Sequence, residues 1–281
     1  IRNFGGDPNR ITLFGESAGA VSVGLHLLSP RTRPYFNNAI LESAGPSAKW
    51  AVISAHIAKY RSERFLTEFT RQITKRYETG SEDPEYPYIP RECQKRMTTM
   101  QEKFLCVKNY PIISQNHFRT SWGIESYKGG PVGYNFVPAV DGDFIPYDPE
   151  LMLKGGDFKK CPLLLGVNGD EGSYFIVYLA QGNMSIEAWP YVDQKTFRHA
   201  IEQYFPYIPA YPTERPPMIL ESILQTYTRW HDHNNTIQNA VQLNLAVGTS
   251  FSFVWNLENF CFLVYLKRRF SFYMSNCLSS E

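Results

Sequence analysis

Arg10-Ile-Thr-Leu-Phe-Gly-Glu-Ser-Ala-Gly-Ala-Val-Ser-Val-Gly-Leu-His-Leu-Leu-Ser29 is the stretch whose reading decides the fold. Ile11 to Phe14 is a short, almost wholly apolar run, and the Gly-Asp-Pro-Asn before it is turn chemistry. Such a run reads as a central strand of a sheet, buried on both faces. A segment rich in Ala, Val and Leu follows, free of proline until Pro30, and reads as a helix. Between strand and helix stands Gly15-Glu16-Ser17-Ala18-Gly19.

Strand, sharp turn and helix around a G-x-S-x-G pentapeptide is the context of a nucleophile elbow. The chain reverses so tightly that side chains at Gly15 and Gly19 are expected to clash with neighbouring strand and helix, and the serine is held in a strained conformation. Ser17 is thereby presented at the carboxyl edge of the sheet. The backbone N–H of Ala18, at the start of the helix, can donate to the oxyanion of a tetrahedral intermediate.

Working outward, Ala39-Ile40-Leu41 is a second apolar run ending in Glu-Ser-Ala-Gly-Pro, so its loop, with Trp50, falls at the same sheet edge. Ala51 to about Arg76 is helical in pattern, 77–90 dissolves into Gly, Ser, Glu, Asp, Pro and Tyr, and Arg91 to Val107 reads as one further helix. Pro149 to Lys154 is a short helix with proline in its first turn. Cys161-Pro-Leu-Leu-Leu-Gly-Val is another buried strand, followed by Asn168-Gly-Asp-Glu-Gly-Ser. That places a carboxylate at the sheet edge, Glu171 ahead of Asp170, where a serine hydrolase needs an acid to hold and charge-stabilise its histidine. Ile223, Leu224, Ile237, Val241 and Leu245 recur at helical spacing and read as core contacts.

With 281 residues the chain has room for one large α/β domain, and its net charge of +1, with the charges interspersed, gives no footprint for nucleic acid. The sequence opens on Ile1-Arg-Asn-Phe without methionine or signal peptide and reads as entering in mid-fold. Five cysteines and two sequons, at Asn183 and Asn234, tilt it toward a secreted or cell-surface, oxidising setting, with Cys93 and Cys106 as a disulfide loop and Cys161 as a buried free thiol. After Gly248, Phe251 to Leu266 is crowded with aromatic and aliphatic residues, shorter than a spanning helix and interrupted by Asn256, Glu258 and Asn259.

Phe4-Gly-Gly-Asp-Pro-Asn-Arg-Ile-Thr-Leu-Phe-Gly-Glu-Ser-Ala-Gly, Phe136-Val-Pro-Ala-Val-Asp-Gly, Asp170-Glu-Gly-Ser-Tyr-Phe and Asp232-His-Asn together resemble the type B carboxylesterases, and within them the cholinesterases, with acetylcholinesterases nearest. The resemblance implies the α/β-hydrolase fold: a mostly parallel central sheet flanked by helices. It covers residues 1–248 as a partial domain with an enlarged insertion around 77–130, leaving 249–281 as a non-homologous hydrophobic tail. It implies a serine hydrolase of carboxylic esters, choline esters by preference, with no cofactor and no metal. The adhesion and ligand-binding members of the same fold, neuroligin-like, are the alternative, since fold does not fix function; they typically lose the elbow serine, and Ser17 and Glu171 both stand here.

By the same resemblance Ser17 is the acylated nucleophile and Glu171 the triad acid. Glu16 is the carboxylate favouring a cationic substrate, Trp50 the acyl-pocket tryptophan, Tyr174 the choline-site aromatic, and Tyr178 and Trp122 the gorge-rim aromatics. Aromatic faces hold a quaternary ammonium at about 0.5–2 kcal/mol each. The two acyl-pocket aromatics of acetylcholinesterases fall on Val132 and Tyr134, which widens the pocket toward acyl groups bulkier than acetyl. Three family parts have no counterpart in the 281 residues: the Gly-Gly oxyanion donors, the upstream choline-site tryptophan and the histidine of Gly-x-His-Gly. His26 lies along the helix after Ser17, and His233 matches the family's Asp-His-Asn segment, where no base role is implied. The chain alone is therefore expected to be inactive, and a homo-oligomer or membrane tether through the missing termini is left open.

Overall fold

The computed structural model describes residues 1–48, 50–81, 88–110, 136–173, 191–204, 217–250 and 272–274. Two compact units result, Ile1–Ser54 with Gly129–Glu281, and Ala55–Lys128.

The first unit is built on a parallel sheet of four strands in the order β1 (Thr12–Glu16), β2 (Asn38–Glu42), β3 (Leu163–Gly166) and β4 (Phe272–Met274). Register runs straight across it: Gly15 lies opposite Leu41 and Leu41 opposite Leu165, while Glu16, Glu42 and Gly166 end the three strands level with one another. Helix α1 (Ala18–Leu28) covers one face. Its Ala20, Val21, Leu25, Leu27 and Leu28 share a core with Ala39, Leu41, Leu163 and Leu165 and with Met152 and Leu153 of α4 (Pro149–Gly155). A Cβ at Gly24 would lie 2.5 Å from the Cδ of the Pro46 ring, so the absence of a side chain lets the loop after β2 pack directly on the helix.

The C-terminal end of α1 is capped by a distant cluster. The Arg33 guanidinium donates to the carbonyls of Leu27 and Leu28 and pairs with Asp157 at 2.9 Å, while Tyr147 donates to the other Asp157 oxygen. Burial works against the Asp157 charge, but these donors outweigh it and hold the carboxyl below the ordinary aspartate value.

A second core in this unit joins α5 (Gln194–Tyr204), α6 (Pro217–Tyr227) and α7 (Thr236–Ser250) through Val192, Phe197, Ile201, Leu224, Leu243 and Val247. Trp50 packs against both cores. The other unit pairs α2 (Ala55–Thr79) with α3 (Met100–Asn109) around Phe69, Ile73 and Tyr110. The Cys93–Cys106 disulfide lies in that core, with 4.9 Å between its Cα atoms. Cys161 is free and buried, and burial pushes its thiol pKa up.

Several sequence expectations are corrected. Among the described residues β1 is an edge strand, and Phe14 is 76% exposed on the sheet face opposite α1. An apolar run fixes which faces a strand can bury, but its place in the sheet depends on partners remote in sequence. The second helix starts at Ala55, because Ile53 is drawn into a bridge with Ala139. Arg91 to Val107 is a single 3-10 turn, Arg91–Cys93, and a separate α3. Thr99 begins α3 as its N-cap in a reciprocal capping box with Glu102.

Ile237, Val241 and Leu245 form an exposed stripe at 41–50% accessibility, whereas Leu224 is buried. Their helix buries its neighbouring Ala240, Leu243, Ala246 and Val247 face instead. Among the described residues no helix is long and apolar enough to cross a membrane.

Candidate active site

Ser17 sits where β1 passes into α1, with φ 52° and ψ −116°. A non-glycine residue at positive φ carries strain of roughly 1–3 kcal/mol that the surroundings must enforce. Two features enforce it. The Ser17 N–H donates to the Glu42 carbonyl at 2.9 Å, continuing the β1–β2 ladder one step beyond the strand. The Ser17 carbonyl meanwhile accepts from Val21 at 3.0 Å, opening the helix.

The turn is so tight that a Cβ on Gly15 would lie 2.6 Å from the Gly19 carbonyl oxygen. At Gly19 the expected clash is absent, with nothing within 4 Å of its own Cβ position. The approach is one-sided: Gly15 faces the Gly19 backbone, whereas a Gly19 side chain would point outward.

The Ser17 hydroxyl makes no capping bond to its helix, and the residue is half-buried. Helix geometry leaves the first N–H groups, beginning with Ala18, without intrahelical acceptors and turned toward the same end. Glu16 lies opposite Glu42 in the register, and both side chains are exposed.

Ser43 and Asn168 were not singled out by sequence reasoning. Ser43 ends β2 with φ 58°, is buried, and donates its N–H to the Gly166 carbonyl at 2.8 Å. The Asn168 amide reaches the Ser43 hydroxyl at 3.4 Å. Glu171 then folds back on its own loop, its Oε1 accepting from the Asn168 N–H at 2.8 Å and the Asn168 Nδ2 at 3.3 Å.

Three strand ends thus place Ser17, Ser43 and the Asn168–Glu171 loop along one edge of the sheet. With strands about 4.8 Å apart, Ser17 and the loop after β3 are separated by two strand spacings, on the order of 10 Å. That is too wide for direct contact and leaves room for a side chain between them. Ser43 is the first residue after β2 and Asn168 the second after β3, and nothing in their identity alone distinguishes them from turn residues.

Trp50 closes the buried loop after β2, and Asn234 is exposed in the turn before α7. His26 lies edge-on to Phe144 at 5.4 Å, and burial lowers its pKa. His233 meets the Trp230 carbonyl at 3.2 Å. Trp122, Val132, Tyr134, Tyr174, Tyr178 and Asn183 lie outside the described residues.

Comparison with known proteins agrees with this architecture. The acetylcholinesterase of Bungarus fasciatus is 33% identical over 248 residues, 88% of this chain and 35% of that protein. The Danio rerio acetylcholinesterase is 32% identical over 251 residues, 88% and 34% respectively, and that of Electrophorus electricus 33% over 248. The chain therefore spans about a third of the length of these curated relatives. The family model described as the carboxylesterase family matches residues 1–276, and with the parallel sheet and its flanking helices this makes the chain a member of the carboxylesterase family, with the α/β-hydrolase fold.

Proposed function

We propose that the protein carrying this chain hydrolyses carboxylic esters, choline esters among them, through an acyl-enzyme on Ser17. The observation that supports this most is the strained Ser17 backbone, φ 52° and ψ −116°, at the carboxyl end of a parallel strand. Family membership makes an ester hydrolase the expected chemistry.

Ser17 Oγ attacks the ester carbonyl, the alcohol leaves, and water releases the acid. The Ala18 N–H donates to the developing oxyanion. Glu171, with Oε1 held by Asn168, presents Oε2 to a histidine that in turn takes the Ser17 proton. None of the six histidines stands in a Gly-x-His-Gly sequence, so the base is assigned outside these 281 residues and the isolated chain is inactive. Glu16 and the aromatic side chains of Trp122, Tyr174 and Tyr178 favour a cationic alcohol, and an acyl pocket of Trp50, Val132 and Tyr134 admits a larger acyl group. The Cys93–Cys106 disulfide and the two sequons support a secreted or cell-surface setting.

The test is hydrolysis of acetylthiocholine, butyrylthiocholine and a neutral naphthyl ester by the full-length protein. Thiocholine esters should turn over faster than the neutral ester, Ser17→Ala should lose on the order of 10⁶ in kcat, and Val132→Phe should lower butyryl relative to acetyl turnover. Undiminished hydrolysis by Ser17→Ala would end the proposal.

A further inference from the structure

Asp170, beside the proposed acid, is tied to a different part of the fold. Its Oδ1 accepts a hydrogen bond from the Asn244 Nδ2, across 74 residues of sequence. Asn244 lies on α7, whose Leu243, Ala246 and Val247 are buried in the second core against Val192, Phe197 and Ile201. The amide therefore projects from a helix fixed by packing.

Apart from the Asn168 amide's reach to the Ser43 hydroxyl at 3.4 Å, the described bonds of the loop between β3 and Glu171 are contacts within itself. Asn168 binds Glu171, and Ser173 closes a turn on the Asp170 carbonyl through its N–H at 3.1 Å and its hydroxyl at 2.7 Å. Those bonds shape the loop but do not fix it to a neighbouring helix; the Asn244 bond does. The Asn244 Oδ1 is buried and unpartnered among the described residues, so the hydrogen bond to Asp170 is what orients the amide.

We infer that Asn244 is a positioning residue for the acid: by holding Asp170 it fixes the backbone from which Glu171 projects toward the base. The inference rests on the esterase reading above. Asn244 touches no reacting atom, and its effect passes through one peptide unit. Misplacing a catalytic group by about an ångström can cost on the order of 100-fold in rate, whereas uniform substrate binding is untouched by a shift of the acid.

The experiment measures kcat, KM, the rate of fluorophosphonate labelling and the melting temperature of the full-length protein. Four forms are compared: wild type, Asn244→Ala, Asn244→Asp, and the swap of Asn244→Asp with Asp170→Asn, in which donor and acceptor exchange sides. Both single variants should lose roughly 10- to 100-fold in kcat and in labelling rate at unchanged KM. Asn244→Asp, facing a second carboxylate, should lose more, and the swap should recover most of the loss. Single variants within twofold of wild type, a swap no better than Asn244→Asp, or losses that track the melting temperature would overturn the inference while leaving the esterase reading in place. A wild type that neither hydrolyses esters nor takes the label would remove the esterase reading, and the inference with it.

Discussion

Gly15 and Gly19 share one pentapeptide and look equivalent in the sequence, yet the structure separates them. Gly15→Ala would drive a Cβ into the Gly19 backbone and should destabilise the first unit by about 1–3 kcal/mol. Gly19→Ala meets open space in the first turn of α1 and should be neutral or stabilising by up to about 1 kcal/mol. Urea denaturation of both variants checks the contrast, and equal losses would contradict it. The strained Ser17 was legible in the sequence because G-x-S-x-G encodes a local turn, and local geometry is what short motifs carry. Ser43, Asn168 and Asn244 were not, because each acts across strands or helices that only the folded chain brings together. Asp157 shows the same dependence on distance. Its lowered pKa means that its contribution to stability is fully present above the unfolded value of about 3.9 and is lost as pH falls through the folded value. Arg33→Gln should therefore cost stability at pH 7 and flatten the acid limb of a stability-against-pH curve; an unchanged acid limb would refute the assignment.

Among the elements, α1, α4 and the first three strands were readable from apolar runs and their bounding turns. What failed were elements set by side-chain chemistry that periodicity does not register. Thr99 and Glu102 start a new helix within the stretch read as a single one, and Glu102, held by Lys95 and by the N–H groups of Thr98 and Thr99, has its pKa lowered to about 2. Thr99→Ala should cost about 1 kcal/mol. The disulfide joins the Arg91–Cys93 turn to α3, 13 residues apart in sequence, and its removal by Cys93→Ser with Cys106→Ser should cost about 3 kcal/mol. Limited proteolysis within 91–110 should accelerate in that double variant and under reduction of the native protein. Unchanged cleavage would mean the Phe69, Ile73 and Tyr110 core holds these helices without help.

Across the whole molecule, one consequence of parallel strand order matters most: residues 17, 43, 168 and 171 reach a common edge because β1, β2 and β3 end level. The family resemblance implied that fold class, and buried apolar runs separated by long connections are consistent with a parallel sheet. The edge position of β1 did not follow, because an apolar run does not say how many strands lie beyond it. The elbow is proposed to make Ser17 the acylated nucleophile. Peptide mass spectrometry after fluorophosphonate treatment of the full-length protein tests it most directly. The adduct should fall on Ser17 and vanish in Ser17→Ala; an adduct on another serine, or labelling undiminished by that substitution, would contradict the account.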